Sequence, residues 1–177
     1  MPDRPKGKSV SVSVSVSSFV PKPFTPFAFE PQDTRETLRQ KQAHLLASLR
    51  SKKISLSWHN VNVSFLEGVL ARGDRRLCSV IEEAWRRGCH FDSWDECFKI
   101  DIWEQVMREL GVDPAFYANR LRAFEEIQPW EHIDFGVSKA FLIRENKKAH
   151  EGLTTPNCRQ QCSGCAANKL LGGACFA

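Results

Sequence analysis

Serine and valine alternate strictly over residues 9–17, and no other feature of the chain constrains its fold as tightly. A period of two places Val10, Val12, Val14 and Val16 on one face of a β-strand. Such a strand needs neighbours for its backbone groups and a core for its valines, yet only one other short strand candidate, residues 54–58, is visible. The sheet that completes it is therefore expected outside this chain. The alternative is a low-complexity extension with no sheet at all.

Residues 19–31, FVPKPFTPFAFEP, hold four prolines and four phenylalanines. Proline removes backbone donors and fixes φ, so neither a helix nor a central strand fits, and an extended, polyproline-like run is expected. A free linker would leave so many aromatics in water; these need a surface to lie on. From Asp33 or Thr34 the pattern turns helical, with Glu36 in the first turn and Leu38, Leu45, Leu46 and Leu49 at helical spacing up to the basic end Arg50, Lys52, Lys53. Ser64 and Glu67 spell a capping box ahead of Val69 and Leu70. A third helix follows Gly73, burying Leu77, Val80, Ile81, Ala84 and Trp85, and stops at Gly88. Ser93 with Glu96 opens another through Ile102, Val106 and Leu110 to Gly111; Asp113-Pro114 opens a short one; the last runs from near Gly136 to His150. Arg72-Gly73-Asp74 reads as a helix stop and a new cap. The fold class expected is α+β and mainly helical, in three parts: residues 1–32, 33–150 and an irregular tail, 151–177.

The net charge of +4 is carried at the ends. Residues 1–23 and 144–177 each contribute +3, which leaves the middle at −2. The body thus lacks the basic stripe that sequence-independent nucleic-acid binding requires. No apolar run reaches the length of a membrane span, and residues 1–8 lack the apolar stretch of a signal peptide, so a cytoplasmic location and no membrane partner are expected. In a reducing compartment seven cysteines do not make a disulfide framework.

Three of them, Cys158, Cys162 and Cys165, fall within eight residues on a glycine-containing stretch. Local thiolate chelation of this kind suits an iron–sulfur cluster or zinc. Cys175 is a candidate fourth ligand and His150 a second choice; Arg159 and Lys169 would favour thiolates. The bland alternative is a tail of free thiols. Cys78, Cys89 and Cys97 lie at no chelating spacing and read as core thiols. Trp58-His59 and the group Glu131, His132 and Asp134 are candidate acid–base positions. The sequence contains no glycine-rich phosphate loop, no recognisable Ser/His/Asp set and no zinc-protease motif.

The runs SVSSFVPKPFTPFAFEPQDT, ISLSWHNVNVSFLEGVLARGDRRL, VIEEAWRRGCHFDSW, DPAFYANR, PWEHIDFGVSKAFLIRE and TTPNCRQQCSGC together resemble the C-terminal part of large radical S-adenosylmethionine proteins with a B12-binding-like N-terminal domain. The resemblance covers about residues 10–165. It implies that the Ser/Val strand is a late strand of an incomplete (β/α) barrel, with Ser17, Phe19, Pro21 and Pro23 as scaffold at the barrel edge. It implies further that the B12-like domain, the catalytic cysteine triplet and most of the S-adenosylmethionine and [4Fe–4S] pocket lie on an upstream portion or a partner chain. The tail triplet has the spacing of the family's catalytic motif, which sits near the start of the barrel. With twelve residues after Cys165, it reads instead as an accessory cluster or zinc site. The rival expectation is a non-catalytic zinc- or cluster-binding interaction module.

Overall fold

The computed structural model describes residues 10–172. Two strands, β1 (Val12–Val16) and β2 (Ile54–Trp58), pair in parallel with Val12 opposite Ile54 and Val16 opposite Trp58. A parallel pair needs a long crossover. Helix α1 (Arg35–Ser48) supplies it, capped by Thr34, whose side chain accepts from the Thr37 N–H. Within the described residues, then, the Ser/Val strand does have one neighbour, joined also by Ser55 Oγ donating to Ser13 Oγ at 3.1 Å. Among the described residues no core covers its valines: Val12 is 48% and Val14 37% exposed. No barrel forms among the described residues; the architecture is mainly helical with two short parallel strands.

The body is built from α2 (Val61–Ala71), α3 (Leu77–Arg86), α4 (Ile100–Glu109) and α5 (Pro114–Ala118). Phe65, Val69, Val80, Ala84, Val106, Met107 and Tyr117 form its core. Helix α3 buries Leu77, Val80 and Ala84 at i, i+3, i+7 spacing, but the expected Ile81 and Trp85 lie on the outer face, 46% and 59% exposed. Helix α2 starts before the expected capping box. Asn60, at the end of the strand, caps it by accepting from the Asn62 N–H at 2.9 Å, and Ser64 is buried one turn in. Ser93 and Glu96 do not start α4 either: residues 92–97 are turns, and the helix begins at Ile100.

The proline-rich segment departs from a plain extended run twice, by a turn at 23–24 that puts Phe24 at a φ of 60° and by a 3₁₀ turn, Pro26–Phe29, with proline at its first position. Two of its four phenylalanines pack on this chain's own body, while Phe19 and Phe27 meet each other and stay exposed. Phe29 meets Phe124 edge-on with centroids 4.9 Å apart, and Phe24 packs on Phe135 at 4.0 Å. Helix α6 (Lys139–His150), capped by Ser138, holds the turn through Asn146, which donates to the Pro26 carbonyl and to Glu30.

A buried arginine joins the pieces. Arg72, at the end of α2, is wholly buried and donates to the Ala118 and Arg120 carbonyls at 2.9 and 3.0 Å. Its own carbonyl accepts from Arg122, also buried, which donates in addition to Gln128. Burial, and then the nearby charges of Arg122 and Arg120, pull the Arg72 guanidinium down to about 10. It still carries its charge at neutral pH. The tail returns to this frame: the Ser138 N–H donates to the Cys165 carbonyl at 2.9 Å, Arg144 donates to the Ser163 carbonyl, and the short helix α7 (Asn168–Leu171) lies beside Gly136. No helix among the described residues is long and apolar enough to cross a membrane.

Candidate functional site

In parallel α/β arrangements, ligands gather outside the carboxyl ends of the strands, where loops and helix N-termini converge. Here that end is the step from β2 into α2. Trp58 closes the strand, His59 follows, and Asn60 caps the helix. These residues line a groove of about 840 Å³ whose other walls come from the α2 face, including Leu66 and Leu70, and from Asp92, Asp95 and Phe98. His59 is exposed. Asp92 accepts from Trp103 Nε1 at 3.4 Å, and Asn60 reaches Asp95 only at 3.5 Å. Glu67 is paired with Lys22 of the proline-rich segment.

The loop carrying those aspartates is held in a costly shape. Gly88 and Phe91 have φ of 87° and 59°. A bulky residue rarely occupies the left-handed region, so surrounding contacts must fix it there. Lys99 donating to the Gly88 carbonyl at 2.8 Å ties the loop's two ends. Phe91 and Trp94 project from it, 77% and 63% exposed. Composition marks this loop as aromatic and acidic, but the Lys99–Gly88 and Trp103–Asp92 bonds that help hold it join residues eleven apart, which no local spacing reveals.

The second acid–base candidate lies elsewhere. Glu131 is paired with Lys139, which also donates to the Glu126 carbonyl, and Asp134 accepts from the Gly136 N–H at 2.8 Å. His132 is exposed. Glu131 and Asp134 border a cavity of about 200 Å³ walled by Phe24, Phe29, Trp130 and Phe135. Both carboxylates thus already serve donors of their own chain.

The tail thiols occupy a third place. Cys158 and Cys162 are exposed, while Cys165 is half-buried with its Sγ accepting from the Ala167 N–H at 3.4 Å. Cys175 lies outside the described residues. Among the described residues no three His, Cys, Asp or Glu side chains converge on a metal-sized site. His150, the second-choice ligand, is engaged by Glu30 at 2.8 Å. Hydrogen bonds from Asn146 and His150 outweigh burial and hold the Glu30 carboxyl below its ordinary range. Of the three expected core thiols only Cys89 is buried, and burial pushes its thiol up; Cys78 is exposed and Cys97 half-buried. No family model matches the chain, and no curated protein or solved structure matches it either.

Proposed function

We propose that this chain is the C-terminal portion of a B12-binding-like radical S-adenosylmethionine protein. In this reading it contributes two late strands and the helices after them to a (β/α) barrel whose remaining strands come from an upstream portion or a partner chain. The observation that carries the reading is the β1–α1–β2 unit: among the described residues, a parallel pair with no third strand, whose Val12, Val14 and Trp58 are exposed. Parallel sheets are otherwise covered on both faces, so such a pair is one piece of a larger sheet.

In that assembly the bound cluster and S-adenosylmethionine supply the radical chemistry, whose substrate is open. This chain's residues wall the carboxyl end of the barrel, with Trp58, His59 and Asn60 facing inward and Pro21 and Phe19 bracing the rim. The donor set of the tail fits a second metal group in kind, since three thiols within eight residues suit an accessory iron–sulfur cluster or zinc. Cys158, Cys162 and Cys165 would hold it with Cys175 as fourth ligand, and loading would gather a loop that is now spread.

The test is co-expression of this chain with a radical S-adenosylmethionine portion bearing Cys-x3-Cys-x2-Cys, encoded upstream or adjacent. A stable complex that is lost in a Val12→Lys/Val14→Lys variant is the expected result; a chain that remains monomeric and alone overturns the reading. Anaerobic loading with iron and sulfide, followed by metal analysis, tests the tail separately on wild type and on a Cys158/Cys162/Cys165→Ser variant. The closed core of α2 to α5 favours one other reading, a non-catalytic zinc- or cluster-binding interaction module. Zinc in the tail together with no complex would select it.

A further inference from the structure

The groove at the carboxyl end of β2 has a charge character that the barrel reading does not require. Its lining contains three carboxylates, one imidazole, two aromatic walls and no lysine or arginine. Glu67 is neutralised by Lys22 at the rim. Among the described residues Asp92 meets one indole N–H through a single oxygen and Asp95 has the long contact from Asn60, so both carboxylates on the groove's lining keep further acceptor sites. Trp58, Phe98, Leu66 and Leu70 line the same groove. Carboxylates that accept from a donor while a ring face meets its charge make a complementary site for an organic cation. An anion would meet two uncompensated aspartates there.

We propose that this groove binds a substrate carrying an amine or guanidinium on an apolar or aromatic body, its cation held by Asp92 and Asp95 and its body lying against Trp58 and Phe98. The inference rests on the barrel reading only for the groove's place at the mouth of the barrel; every lining residue belongs to this chain. Lys99, donating to the Gly88 carbonyl, closes the segment that carries both aspartates.

The probe is tryptamine, with indole-3-propionate as the anion of matching body, titrated into the ¹⁵N-labelled full chain. The Trp58 indole N–H, assigned by its loss in Trp58→Phe, reports occupancy. Tryptamine is expected to shift that signal saturably, indole-3-propionate to leave it unmoved, and Asp95→Asn to weaken tryptamine about tenfold, the loss of one charge-assisted contact. An unchanged Trp103 indole signal in Asp95→Asn shows that the loop has kept its shape. Equal binding of both probes, tryptamine affinity indifferent to Asp95→Asn, or no shift with tryptamine would each overturn the cation site. None of these outcomes touches the barrel reading, which stands or falls on complex formation.

Discussion

At the scale of single residues the fold hinges on polar side chains that tie distant segments together, Asp74 to Tyr117 and Arg72 to the Ala118 carbonyl. Asp74 accepts from Arg76 through both oxygens and from Tyr117 at 3.1 Å. The Arg76 hydrogen bond chiefly holds its carboxyl down to about 2, below the ordinary 3.8. A carboxyl depressed in the folded state contributes stability that is present above its unfolded pKa and lost as pH falls through the folded one. Wild type should therefore exceed Asp74→Asn by about 1–2 kcal/mol near neutral pH, a figure reduced for solvent screening, and the gap should shrink between pH 4 and 2. Urea unfolding of both across that range checks it. Gly136 gives a second test: its φ is 91°, and a Cβ there would lie 2.3 Å from Leu170 Cδ1. Gly136→Ala should cost about 1–2 kcal/mol for the backbone alone and loosen the docking of α7, read by thermal melting and by faster amide exchange at 167–170. The sequence offers Asp74 as a cap beside a glycine; the helix's N-cap position is instead Arg76, and Asp74 accepts from the Arg76 N–H in the turn ahead of it. It is silent on Arg72, because a buried arginine has the same local spelling as a solvated one. Only its distant carbonyl partners on Ala118 and Arg120 tell them apart.

At the scale of elements, apolar spacing located nearly every helix, while which side of each faces inward depended on neighbours the spacing does not encode. On α3 the stripe Leu77, Val80, Ala84 is narrower than the five apolar positions expected, since α4 covers one face only. Val80→Ala should then cost about 2 kcal/mol and Trp85→Ala stay within about 0.5, a contrast that denaturant titration resolves. Equal costs would mean that the outer face is also packed. Start points erred for a related reason. Ser64 and Glu67 have capping chemistry, but Asn60 comes first along the chain where β2 ends, and the helix nucleates there. At 93–97 the chain closes turns instead of the helix its capping residues suggest, the Trp94 N–H donating to the Phe91 carbonyl and the Cys97 N–H to the Trp94 carbonyl. Helix α1 shows the remaining case: its regular leucines promise an apolar face, yet only Leu38 is buried and Leu46 is 56% exposed. Its first turn is anchored through Arg35, paired with Glu104 at 2.6 Å and stacked over Phe65, while its later turns extend beyond the body.

On the scale of the whole molecule the chain divides into a closed helical core and an open βαβ unit, and the two should differ in local stability. The core elements α2 to α5 bury Val69, Val80, Ala84 and Val106 almost completely, so their amides open only with global unfolding. The ladder of β1 and β2 has five paired positions, with valines and Trp58 partly in water, and nothing in the core needs it to stay formed. Two strands without a packed face are marginal in water. In the isolated chain, amides of Val12–Val16 and Ile54–Trp58 should therefore exchange far faster than those of α2 and α3, while circular dichroism and cooperative unfolding remain those of the helical body. Adding the barrel portion should slow the strand amides and leave the core rates unchanged, because the new strands would cover the exposed edges and faces of β1 and β2 alone. Strand amides as slow as the core in the isolated chain would make the pair self-sufficient, a sheet with no need of the proposed barrel strands.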